Sequence, residues 1–113
     1  MPYPRVQILV CVNERAEGAE KPSCGRRGSL DLYRRLKDRV RELGLRDEVI
    51  VTRTGCLKHC SLGPTVGVWP HNRWYGGVGP ENLDDLVRSA AADDAAAAVR
   101  VEPLAIPRDA PWE

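Results

Sequence analysis

Four cysteines are the residues of this chain best suited to chemistry: Cys11, Cys24, Cys56 and Cys60. Twelve residues separate the first two, and three separate the last two. The closer pair sits in the stretch TGCLKHCSLGPTV, Thr54 to Val66. A Cys-x3-Cys pair can chelate for a geometric reason. In one helical turn residues four apart share a face, and in a tight loop both side chains can converge. Gly55 and Gly63 relax the backbone around the pair, and Pro64 fixes the exit. Three chemistries fit such thiols: a disulfide, a four-cysteine zinc site, or an iron–sulfur cluster. All four cysteines fall at strand ends or in loops rather than in an apolar stripe, where a merely buried thiol belongs.

The opening residues MPYPRVQILVCVNER carry no leader pattern, and no apolar run is long enough to span a bilayer. A soluble, cytoplasmic protein is the expectation, and there cysteines serve as metal or redox ligands more often than as structural disulfides. Zinc knuckles recur as two short pairs, which the gap from Cys11 to Cys24 does not make. There is no Cys-x-x-Cys for a thioredoxin-type dithiol. Mixed ligation would need both His59 and His71, but four cysteines already complete a set, and His71 reads as an exposed turn residue.

Free thiols have pKa values near ~8.5, so a metal centre must hold them as thiolates. Two ferric ions, two sulfides and four thiolates would sum to a net negative charge. Nearby cations would then favour reduction. Arg26, Arg27, Arg53, Lys58 and His59 adjoin the cysteines in sequence and are expected to tune or rim the site; plain solvated loop charges are an equal reading. Lys and Arg outnumber Asp and Glu eleven to five from Lys21 to Lys58, and are outnumbered three to eight from Gly77 to Glu113. Ordinary solvated faces account for this, or else a basic rim or a docking surface for an acidic partner. The net charge of +1 argues against nucleic-acid binding.

At 113 residues the chain suits one compact domain. With 5% aromatics and no Phe, its core must be built from Val, Leu, Ile and Ala. RVQILVCV (5–12) reads as a strand with Val6, Ile8, Val10 and Val12 on one face. A polar loop, 13–28, carries Cys24 and is long enough to suggest function. Residues 29–43 form the clearest helix, with Tyr33, Leu36, Val40 and Leu43 as its stripe, Ser29 as N-cap and Gly44 as the stop. Strands follow over 48–53 and 65–69, and WYGG (74–77) closes a hairpin through the PHNR turn. PENLDDLVRSAAA (80–92) is a second helix with Pro80 at its first position and Leu83, Leu86, Val87 and Ala90 inward. Residues 93–113 contain Pro103, Pro107 and Pro111. They form an extension expected to pack on the body, residues 1–92, or on a dimer partner. Trp69 and Trp74 are expected to pack the hairpin onto a helix, with shielding of the cluster as the alternative. The order of elements predicts an α/β fold in which a small mixed sheet carries helices.

VCVNER, SCGRRGS, TGCLKHCSLGPTVGVWP and WYGGVGPENLDDLV together resemble the thioredoxin-like [2Fe-2S] ferredoxins in order, spacing and flanking residues, from about Arg5 to Ala90. The small flavin-domain iron–sulfur subunit of NADH dehydrogenases has a closer first cysteine pair, so the twelve-residue gap favours the stand-alone ferredoxins. The resemblance implies a thioredoxin-like fold with four strands. It also implies a [2Fe-2S] cluster on Cys11, Cys24, Cys56 and Cys60 near one molecular end, one-electron transfer to redox partner proteins rather than enzymatic turnover, and homodimers. A redox-sensing module that docks on and protects an enzyme, and a structural four-cysteine zinc module, are the alternatives. Gly79 stands where relatives often carry a Thr cap, at an expected cost of a few tenths of a kcal/mol.

Overall fold

The structure is a computed structural model that describes residues 4–12, 28–55, 64–91 and 94–107. Strand β1 (Val6–Cys11) is followed by α1 (Ser29–Glu42) and β2 (Val49–Thr54). The hairpin strands are β3 (Val66–Trp69) and β4 (Arg73–Tyr75). A 3-10 turn (Pro80–Asn82) leads into α2 (Leu83–Ala91), and α3 (Ala95–Val101) follows. The sheet order is β2-β1-β3-β4. β1 runs parallel to β2 and antiparallel to β3, which is antiparallel to β4. The expected mixed four-stranded sheet with helices is therefore present, and β1 lies inside it.

The core lies on one face of the sheet. Val6, Ile8 and Val10 alternate inward along β1, as the period of two requires, and meet Val49, Val66 and Val68. From α1, Leu32, Leu36 and Val40 enter the same cluster at a spacing of four. Leu32 replaces Tyr33 in the expected stripe; Tyr33 and Leu43 are only partly buried beside it. Leu83, Leu86, Val87 and Ala90 of α2 complete the layer. The C-terminal segment packs on it: Val101 and Ala97 are buried, and Ile106 N–H donates to the Trp74 carbonyl at 2.8 Å.

Helix ends show how local chemistry sets these boundaries. Gly28, not Ser29, is the N-cap of α1, because the chain enters the helix at φ +84°, a conformation that suits a residue without Cβ. At the other end Gly44 has φ +70°, its N–H bonds the Arg41 carbonyl, and Leu45 N–H bonds that of Val40. That paired pattern is the Schellman stop. At the second helix, Asn82 Oδ1 accepts from Gly79 N–H at 2.9 Å, so a side chain from the first turn satisfies the donor before it. The helix expected over 80–92 thus opens as a 3-10 turn.

Charged side chains join the two helices. Asp84 accepts from Arg39 Nε and from Arg88 Nε, each at 2.7 Å. The Arg88 guanidinium, then that of Arg39, holds the Asp84 carboxyl below its ordinary range, and partial burial opposes them. The hydrogen bond that Arg39 donates to Asp84 raises the pKa of the Arg39 guanidinium. No helix among the described residues is long and apolar enough to cross a membrane.

Candidate metal centre

The strand directions bring Cys11 and the described flanks of the segment that holds Cys56 and Cys60 to one edge. β1 and β2 are parallel, so both end there, at Cys11 and Thr54, which are register partners. β3 is antiparallel to β1, so it begins there, opposite Val10. The loop between β2 and β3, which holds Cys56 and Cys60, must leave and re-enter the sheet on either side of Cys11. α1 is followed by a turn that reaches the far end of β2, where Val49 N–H bonds the Leu45 carbonyl. Its fourteen residues span roughly 21 Å, about the length of the strands, so its first residue returns to the cysteine edge. Cys24 lies four residues before Gly28.

Cys11 is tied to both ends of that loop. Its Sγ stands 3.7 Å from the Gly55 carbonyl oxygen, the residue just before Cys56. Its backbone N–H donates to the Thr65 carbonyl at 3.1 Å. Val12 N–H donates to the Thr54 carbonyl at 3.0 Å. Thr65 itself is fully buried. These backbone anchors, Gly55 and Thr65, have no signature in the sequence, since they join segments more than forty residues apart.

Cys11 is buried outside the apolar core. Along β1 it shares a face with Gln7 and Leu9, opposite to Val10. Gln7 is exposed and Leu9 half-buried, whereas Cys11 has no solvent exposure. Burial on that face therefore rises toward the cysteine edge. Cys24, Cys56 and Cys60, with Arg26, Arg27, Lys58 and His59, lie outside the described residues. Arg53 is described: it is exposed, pairs in register with Val10, and sits one residue from the partner of Cys11. Among the described residues no three His, Cys, Asp or Glu side chains form a metal site. The one described sulfur donor, sheltered from water, is of the kind that suits an iron–sulfur or zinc centre.

The tryptophans depart from expectation. Trp69 pairs in register with Gln7, at the end of β1 away from Cys11. It lies on the face opposite the helices and is 38% exposed. Trp74 is on that face too, its ring 3.8 Å from where a Gly67 Cβ would stand, and its Nε1 donates to Asn72 Oδ1 at 3.0 Å. Neither packs the hairpin onto a helix, and Trp69 is too far along the strand to cover the cysteine edge. His71 is exposed in the turn, as expected.

Comparison with known proteins decides the family. No protein-family model matches the chain. A 2Fe-2S ferredoxin of Aquifex aeolicus is 36% identical over 81 residues, spanning 71% of this chain and 73% of that protein. A 2Fe-2S ferredoxin of Clostridium pasteurianum is 33% identical over 89 residues, or 79% of this chain and 87% of that protein. The crystal structure of the wild-type thioredoxin-like [2Fe-2S] ferredoxin from Aquifex aeolicus superposes with a TM-score of 0.81 at 30% identity, covering 94% of this chain and 100% of that one. The chain belongs to the thioredoxin-like [2Fe-2S] ferredoxins. A second structure of such a ferredoxin from the same organism gives a TM-score of 0.82, with 97% of both chains covered. The likeness to this ferredoxin family therefore extends well beyond the cysteine motifs and takes in the C-terminal segment.

Proposed function

We propose that this protein is a one-electron carrier whose [2Fe-2S] cluster is held by Cys11, Cys24, Cys56 and Cys60. The observation that carries this reading is the position of Cys11, buried at the end of an interior strand and bonded to both flanks of the loop that holds Cys56 and Cys60. Membership of a family whose relatives are 2Fe-2S ferredoxins supports it. When bound, the cluster supplies a one-electron couple whose potential the surroundings set.

The chain's own part is placement and shielding. The parallel β1–β2 ladder fixes Cys11 beside the root of the Cys56 loop. The Cys11 N–H donates to the Thr65 carbonyl and so holds the strand end in place. Burial of Cys11 keeps water from its sulfur, and low access to water raises the effect of nearby fixed charge. Arg53 brings one such charge to the edge. The carrier breaks and forms no substrate bonds, and its partners are redox proteins.

We also assign a second copy of the chain to the sheet face that the helices leave open, where Ile50 and Trp69 are 45% and 38% exposed. Apolar side chains on such a face favour association. Anaerobic purification tests the main reading: a red-brown protein that bleaches with dithionite supports it, and a colourless protein holding zinc refutes it.

A further inference from the structure

We propose that the groove between α1 and the free edge of β2 docks an extended acidic segment of a partner protein. The groove has a volume of about 660 Å³. Its helix wall carries Arg34, Lys37 and Arg41, at spacings of three and four, and Arg46 stands in the turn after the helix. Arg41 is paired with Asp38 at 2.7 Å. Arg34, Lys37 and Arg46 have no carboxylate within 4.0 Å among the described residues, and Lys37 lies 5.3 Å from the Tyr33 ring centre. Among the described residues, three cations without a carboxylate within 4.0 Å thus line one side of an open cleft, whose lining also includes Asp38, the partner of Arg41.

The other wall is a strand edge. β2 is outermost in the sheet and pairs with β1 alone among the described residues. The carbonyls of Glu48 and Thr54 accept from β1. Strand backbone groups alternate sides, so the N–H and C=O of Val51 and Arg53 point out of the sheet. An exposed edge of this kind is completed by an added strand, whose backbone supplies affinity and whose side chains supply specificity. Alternating carboxylates on such a strand would reach Arg34, Lys37 and Arg46 on the helix side, where Val49 and Val51 also lie, while the apolar residues between them would meet Ile50 on the opposite face. Neither wall contains a cysteine, so docking there is independent of which metal the cysteines hold.

The probe is a fluorescein-labelled heptapeptide alternating glutamate with valine and threonine, titrated by anisotropy into the purified protein. It should bind, and more weakly as salt is raised. The variant Arg34→Glu/Lys37→Glu/Arg46→Glu should lose roughly tenfold or more in affinity. N-methylating the peptide amides that face β2 should weaken binding comparably, and a lysine-for-glutamate peptide should not bind. Should the triple variant fail to fold by circular dichroism, Arg34→Gln/Lys37→Gln answers the same question. No binding at millimolar protein, equal binding to the variant, or indifference to N-methylation overturns the proposal. So does release of a second copy of the chain when the peptide is added, which would show the groove to be a self-association surface.

Discussion

The Sγ of Cys11 stands 3.7 Å from the carbonyl oxygen of Gly55, although forty-four positions separate the two residues. The contact sets a buried thiol beside Gly55, the residue just before Cys56. It follows from strand pairing: Cys11 and Thr54 are register partners in a parallel ladder, and Gly55 is the next residue.

Replacement of Cys11 by serine tests the role of that thiol. Serine is nearly isosteric but offers a hard oxygen in place of a soft sulfur. Cys11→Ser should lose most of its iron and visible absorbance while keeping its helix content. Iron analysis beside circular dichroism checks this; full iron with an unchanged spectrum would remove Cys11 from the ligand set.

Arg53 is a described, exposed cation one residue from Thr54, the register partner of Cys11. Removing a positive charge should disfavour the more negative, reduced state. For one exposed charge worth about 0.2–1 kcal/mol, Arg53→Gln should lower the potential by roughly 10–40 mV. Redox titration followed by visible absorbance measures the shift, and a rise in potential would contradict the electrostatic account.

The Asp84 network links stability to pH. Its carboxyl is held below the ordinary range, first by Arg88 and then by Arg39. The folded state therefore favours the ionised form. That contribution is present above the unfolded pKa and is lost as pH falls through the folded value. Asp84→Asn should cost about 1 kcal/mol at neutral pH, since exposed pairs contribute little singly. The difference from wild type should shrink in acid, below the usual carboxylate range. Urea unfolding across that range gives the answer, and a gap independent of pH would rule out the ionic explanation.

Leu36 is fully buried where α1 meets the sheet. Leu36→Ala should destabilise the fold by about 2–5 kcal/mol through lost burial and the cavity left behind. A smaller loss in urea unfolding would show that the helix layer collapses to fill the space.

Much of this architecture was legible in the residues. Alternation in VQILVC marks the inward face of β1, and Gly44 marks the end of α1. Local pattern failed where the outcome depended on chain direction or on distant neighbours. Ser29 has the better capping side chain, but the left-handed entry at position 28 suits glycine. Tyr33 fits a helical stripe as well as Leu32 does, and only the angle of α1 on the sheet selects Leu32. Trp69 is a core residue by type, yet an antiparallel register with Gln7 puts it on the open face. The cysteines could be recognised by spacing and flanks. That Cys11 bonds both Gly55 and Thr65 required the sheet order, which no short window of sequence encodes.

The central claim is that four thiolates share one iron–sulfur centre. Its most direct test is iron and acid-labile sulfide content per chain in protein purified without air. The account predicts two of each, with visible absorbance that dithionite bleaches. Folded protein that contains zinc, or no inorganic sulfide, would contradict it.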